Sequence, residues 1–202
     1  MRVLVHDKTC VTSGRGLSIA WAAGSGLYRA LGRINKSHGV ASWSEALAWV
    51  ATLEQPIDEL QFWGHGKWGG ALVGDELLDA RSLSRDHEHR PGLDALRGKL
   101  APDSLIWFRT CETFGARRGI AFAEQLSESL GARVAGHTYV IGFQQSGLHG
   151  LAPGARADWS PDEGLVEGTP DAPVRARWSH RSAPHTINAL SGRVPAAWFA
   201  RG

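Results

Sequence analysis

The chain alternates short apolar runs of strand type with longer stretches whose apolar residues recur at helical spacing. Arg2 to His6 (RVLVH) is rich in branched residues and predicts an opening strand, followed by a polar, Gly-containing loop from Asp7 to Gly16. From Leu17 to Ile34, apolar residues at Leu17, Ala20, Trp21, Leu27, Leu31 and Ile34 predict a helix that Gly24 and Gly26 weaken at its middle. The unit then repeats. Gly39 to Ser42 predicts a very short strand, and Ser42 or Ser44 caps a helix with Ala46, Leu47, Trp49, Val50 and Leu53 on its apolar face. Ile57 to Trp63 (IDELQFW) predicts a strand running directly into Gly64-His65-Gly66, and Ala71 to Leu78, with Gly-Asp at its centre, predicts a small hairpin.

Arg81 to Arg90 (RSLSRDHEHR) is strongly polar and predicts an exposed loop, followed by a short helix from Leu93 to Leu100 that stops before Pro102. Leu105 to Phe108 (LIWF) is a continuous apolar run, the signature of a buried parallel strand, and it ends at Arg109-Thr110-Cys111. From Ala116 to Leu130, Ile120, Phe122, Ala123, Leu126 and Leu130 mark an amphipathic helix that Gly131 stops. Ala132 to Ala135 and Thr138 to Gly142 give one more strand or a hairpin. Such alternation implies an α/β fold: a mainly parallel central sheet with helices on both faces, joined by right-handed crossovers.

Beyond Phe143 the texture changes. Gln144 to Pro184 is crowded with Gly, Pro, Asp and Ser, and only Val174 to Trp178 suggests a strand. Trp159, Trp178, Leu148, Leu151 and Leu165 argue that this segment lies against the sheet. The expectation is one domain over 1–202, with a core of 1–143 and a loop-rich segment, 144–202, packed on it.

A chain of 202 residues that is 43% hydrophobic builds one good core. With 22 basic and 20 acidic residues, the formal charge of +2 gives no electrostatic footprint for nucleic acid. The opening MRVLVHDKTC is too short in apolar residues for a signal-peptide core, and no segment approaches a membrane span, so a soluble cytoplasmic protein without membrane contact is expected. Cys10 and Cys111 make no disulfide framework, and in a reducing compartment both stay thiols, available for chemistry.

The candidate chemistry lies where two strands end, one in Gly-His-Gly and the next in Thr-Cys. In open α/β sheets ligands bind outside the carboxyl ends of the strands, and neighbouring strands lie about 4.8 Å apart. If the Ile57 and Leu105 strands are neighbours, His65 and Cys111 share one crevice. A thiolate nucleophile gains from a histidine and from a helix N-terminus, and the Ala116 helix begins just after Cys111. His65 can also protonate a leaving group.

A hydrophobic strand ending in His-Gly ("FWGHG"), followed about fifty residues later by one ending in Cys ("IWFRTCETFG"), resembles the caspase-like cysteine peptidases over roughly Arg2 to Gly142. The stretch "CETFGARRGIAFAEQLSESLGARVAG" is most similar to bacterial caspase-like domains of uncharacterised function. The resemblance implies a caspase-like three-layer sandwich and a Cys/His dyad that cleaves a protein or peptide substrate without a cofactor. Cys111 would attack the scissile carbonyl, His65 would act as acid and base, and the N–H groups of Gly66 and Cys111 would form an oxyanion hole. On this reading Gly66 is Gly because a side chain would crowd the tetrahedral intermediate. Arg15, in the loop after the first strand, and Arg109, two residues before the cysteine, would favour an acidic P1 residue. Asp7 stands where metacaspases also keep an acidic group, which pulls the other way, and a surface salt bridge is an equal reading of Arg109.

Other residues carry less. His87 and His89 lack further ligands at zinc spacing and read as a solvated loop, so no metal is expected. Cys10 is a buried small hydrophobe or a redox partner of Cys111. His137 and His149 flank the last strand region. An alternative function keeps the fold without turnover, as a non-catalytic protein-binding or scaffold module. Rapid alkylation of Cys111 at pH 6 is what an activated dyad would show.

Overall fold

The computed structural model describes residues 1–11 and 16–200. Its central sheet has six strands: β1 (Arg2–Asp7), β2 (Lys36–Val40), β3 (Ile57–Trp63), β7 (Leu100–Arg109), β8 (Arg133–His137) and β10 (Leu148–Leu151). They lie in the order β10-β8-β7-β3-β1-β2, all parallel except β10, which runs antiparallel at one edge. Four helices connect them: α1 (Leu17–Ala30), α2 (Trp43–Ala51), α3 (Arg90–Lys99) and α4 (Ala116–Leu130). Between β3 and α3 lies a three-stranded meander of β4 (His65–Lys67), β5 (Gly70–Val73) and β6 (Glu76–Asp79), the last two forming the expected hairpin around Gly74-Asp75. Short pairs complete the C-terminal part: β9 (Gln144–Gln145) with β13 (Ile187–Asn188), and β11 (Leu165–Gly168) with β12 (Pro173–Ala176).

The pleat divides the apolar residues between two layers, because successive side chains leave a strand on opposite faces. Val3, Val5, Phe62, Ile106 and Phe108 face one side and pack with α2, α3 and α4. Leu4 and Trp63 face the other and pack with Tyr28 of α1, while Leu105, Trp107, Ala135 and Leu148 there meet Ile187, Val194, Trp198 and Phe199. The second layer is therefore one helix plus the end of the loop-rich segment. That segment lies against the sheet as its tryptophans and leucines suggest.

Several boundaries match the sequence pattern, and local chemistry accounts for them. Ser42 accepts the Glu45 N–H at 2.9 Å and caps α2, and Gly131, at φ +63°, takes the left-handed turn that ends α4. One expectation is narrowed and two need correction. Of one more strand or a hairpin after α4, the structure has the one strand, β8, and no hairpin: in Thr138 to Gly142 Val140 makes a single bridge to Trp178. Arg81 to Arg90 is not a fully exposed loop: a short turn over Ala80–Leu83, capped by Asp79, buries Leu83, and His89 is buried 3.6 Å from Glu76. The second strand covers Lys36–Val40 instead of Gly39 to Ser42; on α1 the buried residues are Ser18, Ser25 and Tyr28. Among the described residues no helix is long and apolar enough to cross a membrane.

His137 gives the fold a pH dependence. It is fully buried at the end of β8 with Nδ1 3.0 Å from the Ser146 carbonyl, and burial pulls its pKa down to about 3. The unfolded chain therefore binds a proton between about pH 6.5 and pH 3 that the folded state refuses, and stability falls as the pH falls through that window. Chemical denaturation of wild type and His137→Asn at pH 7 and pH 5 is expected to show wild type losing about 2 kcal/mol more than the variant. Equal losses would exclude His137 as the source.

Candidate active site

The carboxyl ends of β3 and β7 are side by side, with Trp63 opposite Arg109 in register, so the residues following each strand emerge together. Leaving β3, Gly64 approaches the Phe62 ring so closely that a Cβ would lie 2.5 Å from it, and His65 starts β4 with its side chain exposed. Leaving β7, the chain turns through Cys111 to Gly115 and enters α4. Backbone bonds of 3.0 Å from Glu112 N–H to the Tyr139 carbonyl and from Phe114 N–H to the His137 carbonyl fasten this turn to the segment after β8. Glu112 has φ +57°, a left-handed conformation unusual for a residue with a side chain, immediately after the cysteine.

The two turns touch. A Cβ on Gly66 would lie 2.3 Å from Thr113 Oγ1, 2.5 Å from the Cys111 carbonyl oxygen and 2.8 Å from Thr110 Cβ. Gly66 is thus required by the cysteine turn itself, a different reason from the crowding of an intermediate. Gly69 N–H donates to the Thr113 carbonyl at 3.0 Å, and Lys67 stands 3.3 Å from the buried Glu112 carboxylate. Burial raises the Glu112 pKa, and Lys67 opposes the rise.

His65 and Cys111 line one cleft of about 400 Å³, with Trp21, Leu27, Trp63, Phe143 and Leu190 among its walls. The apolar stripe of α1 (Leu17, Ala20, Trp21, Leu27) forms one wall, and Phe143, Gln145, Ala189 and Leu190 of the C-terminal segment contribute to another. Helical spacing marked the first wall in the sequence, although the spacing alone says only that the face is apolar. Nothing local marked the second wall.

Within the cleft His65 and Cys111 have different partners. Cys111 Sγ accepts the Ile141 N–H at 3.4 Å, whereas His65 Nε2 lies 3.4 Å from Cys10 Sγ. Among the described residues no hydrogen bond joins His65 to Cys111. Burial raises the Cys111 pKa, the Ile141 N–H lowers it, and Glu112 adds to the rise. These surroundings favour the protonated Cys111 thiol, so rapid alkylation at pH 6 does not follow from this geometry.

The remaining predicted site residues separate. Arg15 lies outside the described residues. Asp7 is buried, with Oδ1 accepting the Thr9 N–H and hydroxyl, both at 2.7 Å, and it is not part of the cleft lining; it shapes the loop after β1. Arg109 is in the cleft, but it is no surface salt bridge, being only 4% exposed. Its guanidinium donates to Gln145 Oε1 at 2.7 and 3.1 Å, to the Ala189 carbonyl at 3.1 Å, to the Ser191 carbonyl at 3.3 Å and to the Tyr28 hydroxyl. It lies over the rings of Trp107, Trp63 and Tyr28, 4.5 to 5.5 Å from their centroids. Among the described residues no carboxylate pairs with it, and burial lowers its pKa. His137 and His149 are also outside the cleft lining; His149 pairs with Glu163 at 2.8 Å and stacks on Trp159. Among the described residues no group of three or more His, Cys, Asp or Glu side chains is arranged to hold a metal ion.

Residues 34–151, more than half of the chain, match the sequence profile of a family described as a domain of unknown function (DUF4347). No curated protein and no solved structure matches the chain.

Proposed function

The chain belongs to the DUF4347 family, and from its cleft we propose that it is a caspase-like cysteine endopeptidase. The observation that carries this reading is the convergence of His65 and Cys111, from the ends of two adjacent parallel strands, on one cleft with apolar walls. Cys111 Sγ attacks the scissile carbonyl carbon as its proton passes to His65. The oxyanion is met by the N–H groups of Gly66 and Cys111, and the amine leaves with the proton from His65. Water then hydrolyses the thioester. Because burial favours the protonated Cys111 thiol, proton transfer accompanies the attack instead of preceding it.

Arg109 supports an acidic residue at P1. All its hydrogen-bond partners are neutral oxygens, which form a cage, and the Glu59 carboxylate acts on it only as a nearby charge without a hydrogen bond, whereas buried charges are ordinarily paired directly. Two members of the cage, Tyr28 and Gln145, are themselves side chains of the cleft lining, so a substrate carboxylate can take a place at the guanidinium. Two peptidyl ketone affinity labels identical except for Asp or Arg at P1 test this. The Asp label is expected to modify Cys111 at least about tenfold faster, equivalent to about 1.4 kcal/mol. Equal rates would remove the acidic preference, and no modification by either would argue against the peptidase.

One observation favours the second reading, a protein-binding module that does not turn over. His65 is engaged with Cys10, and Cys111 with Ile141. A module of this kind would use the same apolar cleft to hold a protein segment.

A further inference from the structure

An imidazole has two ring nitrogens, and a base serving a thiol uses one of them while the other fixes the ring. His65 has such a fixing contact, made by neither a carboxylate nor a backbone carbonyl: Nε2 lies 3.4 Å from Cys10 Sγ. Trp21 holds the ring as well, in an edge-to-face contact with centroids 5.3 Å apart. Cys10 is itself anchored. It is buried on the loop leaving β1, its N–H donates to Ser18 Oγ at 2.9 Å, and its carbonyl accepts the Ser18 N–H at 3.4 Å, which ties it to the first turn of α1. Because β3 lies between β1 and β7 in the sheet, Cys10, His65 and Cys111 follow three consecutive strands, with the histidine in the middle.

We infer that Cys10 is a positioning residue for His65, its sulfur accepting the Nε2–H and thereby leaving the Nδ1 lone pair to receive the proton of Cys111. In the step the proton leaves Cys111 Sγ for Nδ1, Nε2 keeps its own, and the leaving nitrogen later takes the proton from Nδ1. The chemistry suits sulfur. A thiol is a weak acceptor, enough to fix the tautomer of a neutral ring without adding a charge beside it. The catalytic consequence rests on the peptidase reading; the orientation of His65 does not.

The test uses the full chain with Cys10→Ala and Cys10→Ser. Both remove the sulfur volume, so a packing defect appears in both, while only serine restores an acceptor. Long-range proton–nitrogen NMR of the histidines at neutral pH is expected to show His65 as a single Nε2–H tautomer in wild type and in Cys10→Ser. Cys10→Ala should show averaging of two tautomers. The rate at which iodoacetamide modifies Cys111, resolved by peptide mass spectrometry, is expected to fall about tenfold in Cys10→Ala and to recover in Cys10→Ser. An unchanged tautomer in Cys10→Ala, or equal changes in both variants, would overturn the inference. If the tautomer contrast holds and no peptide is ever cleaved, Cys10 still orients His65 and the peptidase reading fails. If peptides are cleaved and the tautomer ignores Cys10, the reverse follows.

Discussion

Replacing Gly66 by alanine is expected to reduce reaction at Cys111 at least about 100-fold while leaving the domain folded. The added Cβ would meet the Cys111 carbonyl oxygen at 2.5 Å and Thr110 Cβ at 2.8 Å, and neither atom can swing aside as the end of a long side chain can. Backbone bonds fix the cysteine turn to the Tyr139 and His137 carbonyls, so β4, the strand carrying His65, has to give way. Overpacking of this kind costs about 1–3 kcal/mol of stability. Its effect on chemistry is larger, because a displacement of about 1 Å between reacting groups costs about 10²-fold in rate. Labelling kinetics at Cys111 alongside thermal unfolding separates the two effects. A variant with wild-type labelling would show that the contact between the turns has no part in the chemistry.

Replacing Arg109 by methionine is expected to cost roughly 3 kcal/mol and to loosen the C-terminal wall of the cleft. Removing both members of a buried ion pair is often neutral, but here only the cation leaves. The Gln145 Oε1 and the Tyr28 hydroxyl remain behind, buried or half-buried, without the guanidinium, and the Ala189 and Ser191 carbonyls keep only the Tyr28 hydroxyl, 2.8 Å from each, between them. Those groups hold residues 187–191 on the sheet, where β13 pairs with β9. Lysine is not expected to rescue the variant, since one ammonium cannot reproduce the planar fork that reaches three sides of the cage. Hydrogen exchange should show the loss of protection concentrated in 144–145 and 187–191, with the unfolding midpoint lower by several degrees. Unchanged exchange there would mean that this wall is held by packing of Ile187, Val194, Trp198 and Phe199 alone.

The parts legible in the sequence were those in which local pattern and tertiary role agree. β3 and α4 appear over the expected residues because one, IDELQFW, is a stretch closed by Gly-His-Gly and the other is an amphipathic stretch closed by Gly131. β10 carried no such signal. It has four residues, and its Gly150 is explained only by the Phe199 ring, which a Cβ would approach to 2.5 Å. The polar stretch before α3 looked exposed, yet His89 is buried at the start of that helix, 3.6 Å from Glu76 on β6. The cleft was legible in part. The placement of His65 and Cys111 at strand ends followed from the pattern. The contact between Cys10 and His65 did not, since it depends on how the loop after β1 folds back over a strand 55 residues later in the chain. Arg109 shows the same limit: a lone arginine before a cysteine reads as a surface group until the sheet buries it under Tyr28, Trp63 and Trp107.

The most direct measurement is incubation of wild type and Cys111→Ala with a mixed peptide library, with new termini read by mass spectrometry. A Cys111 nucleophile predicts cleavage by wild type alone, enriched after aspartate or glutamate. Cleavage that survives in Cys111→Ala, or no cleavage by wild type, would contradict the Cys111 peptidase and leave the cleft as a binding site.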